Sequence, residues 1–577
     1  MWKLRRFLKD YKKECIIGPL CKLFEAILEL FVPLVMADII DTGIANRDAG
    51  YVWSRGGLLV LLAVLGWSSA MFTQYFASKA SQGAGTKIRR ALFEHINTLS
   101  HAELDRLGTP SLITRITNDT NTVQQNIAMM IRLLTRAPFI IVGSLVMAMT
   151  INLKLSLIFF GAALLIALTL YLVMTKSVPI YSSMQKKLDK IGLIARENLS
   201  GNRVIRAFSK QRAECERVDE ATDDLARTSV RVSRLSALLS PVTYAVTDIA
   251  IILIVWFGAV EVNVGGMKTG DIVALVSYMT QILLAMIVVA NLVNLMTRGS
   301  ASAKRINEVL ETEPSVTERN TEAIEVDLSA PKIEFEHVSF NYTDDGDEEL
   351  SDISFSAPRG KTVGIIGGTG SGKSTLINLI PRFYDVCKGC VRVDGRDVRD
   401  YPFEQLRKQM GIVPQQSVLF AGSIRHNMKW QDKNATDEEI IRALRLAQAY
   451  EFVQKLPDGL DSRVEQGGKN FSGGQRQRLC IARALVKSPQ ILILDDSFSA
   501  LDLATDAALR RALAENTKGM TVLIVTQRSP TVKNADLILV MGDGELAGCG
   551  THKELFERCE VYRDICLSQQ SETEAAA

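Results

Sequence analysis

Three stretches carry no charged residue at all: Gly56–Ser78, Leu155–Thr175 and Ile272–Thr297. Each is long enough to cross a bilayer core as a helix, which takes about 20 residues. Further apolar runs near 16–41, 127–152 and 238–260 bring the expected count of spans to six. The first is interrupted by Lys22, Glu25, Glu29 and Asp38, and its place before a clear second span is what argues for crossing.

The rest of the 577 residues have a different character. Hydrophobic residues make up 47% of the chain, yet 23% are charged, so an apolar part is joined to a soluble one, with length for three or four domains. Lys and Arg number 67 against 64 Asp and Glu, and a net charge of +3 implies no nucleic-acid partner. Nine scattered cysteines fit a reducing compartment and no disulfide framework. Cys387 and Cys390 have metal-like spacing but lack a second ligand pair, and are expected in a hairpin turn.

Residues 1–14 interleave Lys3, Arg5, Arg6, Lys9, Lys12 and Lys13 with Trp2, Leu4, Phe7, Leu8 and Tyr11, the pattern of an amphipathic helix on a membrane face. No small-residue cleavage site follows, which argues against a signal peptide. The transmembrane domain is expected over 15–300, a linker over 301–330, a soluble domain over 331–567 and a disordered tail over 568–577. Short links near 42–55, 152–154 and 261–271 alternate with long polar stretches at 79–126 and 176–237, which are rich in Lys and Arg. The positive-inside bias puts those stretches and both termini in the cytoplasm, with helices continuing beyond the bilayer. Glu25, Arg132 and Arg136 are expected near the interface, reaching for water, and Glu29 or Asp248 is the candidate for a polar cavity.

The soluble part is organised around GGTGSGKST, Gly367–Thr375, which follows the apolar run 361–366 and precedes a helical pattern. Glycines at 367, 370 and 372 let successive amides point at phosphates, and the helix that follows presents its positive end. Lys373 then reaches the terminal phosphates, and the Ser374 hydroxyl can ligate magnesium. The ATP-binding set drawn from this loop is Gly367, Thr369, Gly370, Ser371, Gly372, Lys373, Ser374 and Thr375. A second apolar run, Ile491–Leu494, ends in Asp495 and Asp496, and a carboxylate at that strand end can hold magnesium, which points to Asp495.

Between these motifs lies FSGGQRQR, Phe471–Arg478. With its neighbours it resembles the ATP-binding cassette family, and the six preceding spans resemble the exporter class, a membrane α-helical bundle followed by an α/β P-loop ATPase domain. The resemblance implies two ATPase domains facing head to tail around two ATP molecules, with Mg2+. It implies that Tyr342 stacks on adenine, and that Gln415 contacts magnesium and couples to the membrane domain. Ser472, Gly473, Gly474 and Gln475 would close over ATP held by the opposite domain, and Asp502 would belong to the loop joining the two sites. Segments near Thr109–Asp119 and Phe208–Glu216 resemble the helices that carry ATPase motion to the spans.

Two positions depart from the family pattern. Where a glutamate usually polarises the attacking water stands Asp496, and where a switch histidine contacts the γ-phosphate stands Gln527. One methylene fewer withdraws the carboxylate by roughly 1.5 Å, and a misplacement near 1 Å can cost about 10²-fold. Glutamine can hydrogen-bond but cannot carry histidine's positive charge.

These departures resemble the degenerate subunit of heterodimeric exporters. That resemblance implies a homologous half-transporter partner bearing glutamate and histidine, probed against a homodimer in which both variants work. A nucleotide-gated channel or regulatory subunit is the alternative from another class. The implied cargo is a small amphipathic compound, drug- or lipid-like, taken from the cytoplasm or inner leaflet. The absence of a peptidase domain before the spans argues against a peptide-maturing exporter, and a bacterial inner membrane is the expected location.

Overall fold

The structure, a computed structural model, describes residues 2–569 apart from 321, 344, 345 and 347. It divides into two compact units: one formed by the chain up to Asn97 with Thr109–Glu311, the other by Thr98–Gly108 with the chain from Thr312 onward.

The first unit is helical. Among the described residues, five runs are long and apolar enough to cross a membrane: Ala49–Ile96, Thr109–Ile151, Leu153–Ala207, Gln211–Asn263 and Thr269–Glu311. A further helix, Lys12–Asp38, precedes them, entered through a 3-10 helix over Trp2–Tyr11. The pattern of burial is that of a bundle in lipid. Ala77, Ala80, Ser81, Ala84 and Gly85 are buried along the second helix, while Trp53, Trp67, Leu157, Leu164 and Trp256 face outward. Small residues let helices approach closely where no hydrophobic force separates protein from hydrocarbon. Side chains then bond across helices: the Ser69 hydroxyl donates to the Cys21 carbonyl at 2.6 Å, and Tyr278 to that of Leu30 at 2.6 Å.

Three features differ from the sequence expectation. The apolar run 127–152 is two helices, Thr120–Leu133 and Arg136–Ile151. Pro138 lacks the amide that would bond the Leu134 carbonyl, so the ladder breaks there. The stretch 301–330 is helical as far as Glu311, because Ala303, Ile306 and Val309 are buried and extend the helix. Arg136 has a partner that the sequence did not show: it donates to Glu29 at 2.8 Å. Glu25 pairs with Lys22 at 2.7 Å, Arg132 is half-buried and Asp248 is exposed.

In the second unit a six-stranded sheet runs in the order Glu545–Gly550, Leu537–Gly542, Thr362–Gly367, Thr521–Thr526, Ile491–Asp495, Met410–Val413. Only the first of these is antiparallel to its neighbour. Strands such as Thr521–Thr526 and Ile491–Asp495 are buried at every position, as parallel strands covered on both faces must be. One core cluster covers one face with the helix Gly473–Leu485. A second packs the sheet against a four-stranded one built from Leu350–Ala357, Ile333–Phe340, Lys388–Val393 and Arg396–Asp397. Cys390 lies within Lys388–Val393 opposite Glu336, and Cys387 just precedes it, so the pair opens a strand instead of a turn. Of the expected tail, Ser568 and Gln569 close the helix Glu560–Gln569; the remainder lies outside the described residues.

Candidate functional site

Parallel sheets bind ligands outside the carboxyl ends of their strands. Register brings the motifs to that edge: Thr526 pairs with Ile366, and Val525 with Asp495. A cleft of 220 Å³ opens there, lined by Thr369–Thr375, Gln415, Asp495, Asp496 and Val525–Gln527. Eleven residues expected from sequence thus meet in one place, Asp496 and Gln527 among them.

The loop's glycines divide the work. Gly370 and Gly372 adopt φ of 83° and 85°, the left-handed region that favours glycine. Gly367 does not; it closes its strand where a Cβ would lie 2.3 Å from the Met541 carbonyl. Lys373 opens the following helix and is buried, with Nζ donating to the Gly367 carbonyl at 2.9 Å, to Ser371 Oγ at 3.1 Å and to the Gly368 carbonyl. Burial pulls its ammonium below the usual lysine range, opposed by the Asp495 and Asp496 carboxylates.

Ser374 Oγ donates to Asp495 Oδ1 at 3.2 Å. Burial pushes the Asp495 carboxyl up, and the charge of Asp496 pushes it further, while Ser374 and Lys373 hold it down. A hydroxyl, a carboxylate and the nearby Gln415 amide form an all-oxygen donor set that fits a hard divalent cation. Asp496 takes a left-handed backbone, φ 44°, with its amide on the Val525 carbonyl at 3.0 Å.

Tyr342 sits at the edge of this cleft. Its hydroxyl lies 3.0 Å from Thr375 Oγ1, and its ring meets Tyr384 edge-on at 5.2 Å. Ser472, Gly473, Gly474 and Gln475, the signature expected to serve the opposite domain's ATP, are not among the described residues that line the cleft. Ser472 caps Gly473–Leu485, accepting from the Gln475 amide at 3.3 Å while Gln475 Oε1 accepts from the Ser472 amide at 3.0 Å. This reciprocal cap was legible as S-x-x-Q. Asp502 likewise caps Leu503–Asn516, accepting from the Thr505 amide at 2.9 Å.

Three participants escape sequence reasoning. Glu349 lines the cleft but belongs to no motif. Gln569 brackets the switch position, donating to the Gln527 carbonyl at 2.7 Å and accepting from the Ser529 amide at 2.9 Å. The helix His101–Leu107 belongs to the compact unit of the ATPase domain, and the chain from Thr109 to the helical one. Tyr384 donates to its Asp105 at 2.9 Å, and its His101 lies 4.5 Å from Phe383. The capping pattern Ser100-x-x-Glu103 marked that helix in the sequence. Phe208–Lys210 is the turn between two long helices, with Phe208 exposed.

A nucleotide cleft of this build, on a chain whose other half is a membrane bundle, defines an ATP-driven transporter. Residues 15–286 match the ABC transporter transmembrane region and residues 350–499 the ABC transporter family. The chain belongs to the ABC transporter family, as an exporter half-transporter with a membrane domain fused to an ATP-hydrolysing one. It is 40% identical to the ABC transporter ATP-binding protein YfiB of Bacillus subtilis, over 99% of this chain and 98% of that protein. The probable multidrug resistance ABC transporter ATP-binding/permease protein YheI of the same organism is 32% identical, with coverage of 98% and 97%. The ATP-dependent lipid A-core flippase of Vibrio vulnificus is 30% identical, with coverage of 98% and 96%. A bacterial Atm1-family ABC exporter with ATP bound shares the fold at a TM-score of 0.80 and 24% identity, covering 97% of this chain and 99% of that one.

Proposed function

We propose that this chain is the catalytically weak half of a heterodimeric exporter in a bacterial inner membrane, with both termini cytoplasmic. The observation that carries this reading is that Asp496 and Gln527 line the same phosphate cleft as Lys373, Ser374 and Asp495. Binding is intact there, while the two groups that would act on the attacking water are both weakened. Losing a methylene at Asp496 and a cation at Gln527 affects the same step.

The division of roles follows from the residues. The loop amides and Lys373 hold the phosphates, and Ser374, Asp495 and Gln415 would hold magnesium, which supplies charge neutralisation at the phosphates when bound. Tyr342 offers an aromatic face beside Thr375 for the base. The capped Ser472–Gln475 turn presents a helix N-terminus for the γ-phosphate held by the partner. Hydrolysis then proceeds mainly in the partner's site, completed by this chain's signature. ATP binding favours closed ATPase domains and an outward-open bundle, and hydrolysis resets it. The cargo is an amphipathic, drug- or lipid-like compound; relatives named for multidrug resistance and for lipid A-core flipping support that class.

ATP turnover in lipid tests this, for the chain alone and co-expressed with a homologous half-transporter, with and without Asp496→Asn. Little turnover alone, restored by the partner and indifferent to Asp496→Asn, is expected. Turnover of ~1–10 s⁻¹ by the chain alone, lost in the variant, would mean a working homodimer.

A further inference from the structure

The N-terminal helix and the helix Lys12–Asp38 run antiparallel to Ala49–Ile96, pinned in register at successive levels. Asp10 pairs with Lys87, Glu14 with Lys79 at 2.8 Å, and Thr73 Oγ1 donates to the Gly18 carbonyl at 3.3 Å. Thr120–Leu133 packs against both helices, with Gln124 over Gly85 of Ala49–Ile96 and Ile131 over Gly18 of Lys12–Asp38. Between the N-terminal segment through Pro19 and the stretch Val123–Thr135 lies a cavity of 410 Å³. Leu4, Leu8 and Pro19 wall one side; Val123, Ile127 and Ile131 wall the other.

Its dimensions and chemistry select an occupant. From Val123 to Thr135 the wall follows twelve residues, or about 18 Å of helix. That is slightly more than half the ~30 Å hydrocarbon thickness of a bilayer. An apolar space of this kind does not hold water stably, and the apolar molecules around a membrane helix are acyl chains. Arg5 is the only charged lining residue among those described, and the register above puts it at the Val123 end, where Arg6, Lys9, Lys12 and Lys13 add positive charge while Lys3 pairs with Glu311, and Asp10 and Glu14 pair with Lys87 and Lys79. Basic pockets at the ends of membrane helices recognise anionic head groups.

We propose that this slot binds one acyl chain of an anionic phospholipid from the leaflet adjoining the N-terminal helix, with the lipid phosphate against Arg5. The site is separate from the nucleotide cleft, and its ligand is a resident of the membrane. The three pins to Ala49–Ile96 hold one wall in place, so the lipid completes a built surface.

Cys15 lines the cavity and supplies a reporter, and the exposed Cys215 an internal control. The full chain in nanodiscs of dioleoyl phosphatidylcholine is titrated with dioleoyl phosphatidylglycerol, and N-ethylmaleimide alkylation of each cysteine is followed by peptide mass spectrometry. Phosphatidylglycerol is expected to slow Cys15 alkylation and leave Cys215 unchanged. Arg5→Glu is expected to weaken that protection roughly fivefold or more, the worth of one basic residue near an anionic surface. Met130→Trp, which fills the slot, should slow Cys15 alkylation in either lipid. Equal Cys15 rates in the two lipids, or phosphatidylglycerol protection that persists unchanged in Arg5→Glu, would overturn the proposal.

Discussion

Asp496 occupies a left-handed backbone position, and aspartate is among the few residues that tolerate one. The identity of residue 496 is therefore tied both to local geometry and to reach toward the phosphate. Restoring the longer carboxylate and the switch imidazole together, as Asp496→Glu with Gln527→His, should raise the ATP turnover of this chain alone by about 10–100-fold. A double variant no faster than the parent would show that the weakness lies elsewhere. The phosphate loop gives a sharper case. At Gly372 a Cβ would meet Leu350 Cδ2 at 2.7 Å and Glu349 O at 3.0 Å, on a backbone with φ 85°. Gly372→Ala should weaken binding of a fluorescent ATP analogue at least tenfold, from a strain of about 1–2 kcal/mol. Gly368, with open space where its Cβ would point, should accept alanine with a far smaller loss. These residues were legible because phosphate chemistry fixes their spacing locally. Gln569 was not, because its role rests on two hydrogen bonds to residues about forty positions earlier, with no pattern of its own.

The helix His101–Leu107 shows where local patterns stop informing. Its start is written in Ser100 and Glu103, but what it packs on is not. Phe383, Tyr384 and Arg407 lie roughly three hundred residues later and come to it only through the sheet's folding. The break at Leu134–Thr135 is similar in kind: Pro138 was visible, but the apolar run on both sides looked continuous. His101 makes the packing testable. Burial against Phe383 and Tyr384 lowers its affinity for a proton, Asp105 opposes this and Arg407 adds to it. Its folded-state value therefore lies below its unfolded one, near 6.5. Between those values the unfolded chain binds more protons, so stability rises with pH. The full contribution is present above 6.5 and is lost as pH falls through the depressed value. Thermal unfolding of the full chain should thus show a loss on acidification below pH 6.5 that His101→Phe reduces. An unchanged pH dependence in that variant would place the titrating group elsewhere.

The membrane bundle mixes two kinds of contact: small and polar side chains meet along Ala49–Ile96, while Phe159, Ile166, Ile254 and Ile282 pack an apolar core and other large apolar residues, such as Trp67 and Leu157, face outward. Composition announced the spans clearly but left their charges ambiguous, since a glutamate or arginine in an apolar run can face water, a cavity or a partner. Glu29 and Arg136 resolve into a pair joining Lys12–Asp38 to Arg136–Ile151 at 2.8 Å, with exposures of 36% and 26%. Among the described residues Arg136 Nε, which is buried, has no hydrogen-bond partner, so the guanidinium depends on Glu29 for its compensation. Removing one charge leaves the other uncompensated in hydrocarbon, which costs more than losing both. For a half-buried pair, Glu29→Gln or Arg136→Gln alone should destabilise the chain by about 1–3 kcal/mol. The double variant Glu29→Gln with Arg136→Gln should recover most of that loss, because no charge remains to be desolvated. Thermal unfolding of the four forms in one detergent closes the cycle. Strongly non-additive losses establish the pair as a unit that fixes how the two helices meet. Additive losses would mean that each charge acts alone, through water or through a ligand, and would return both residues to the candidates for contact with cargo.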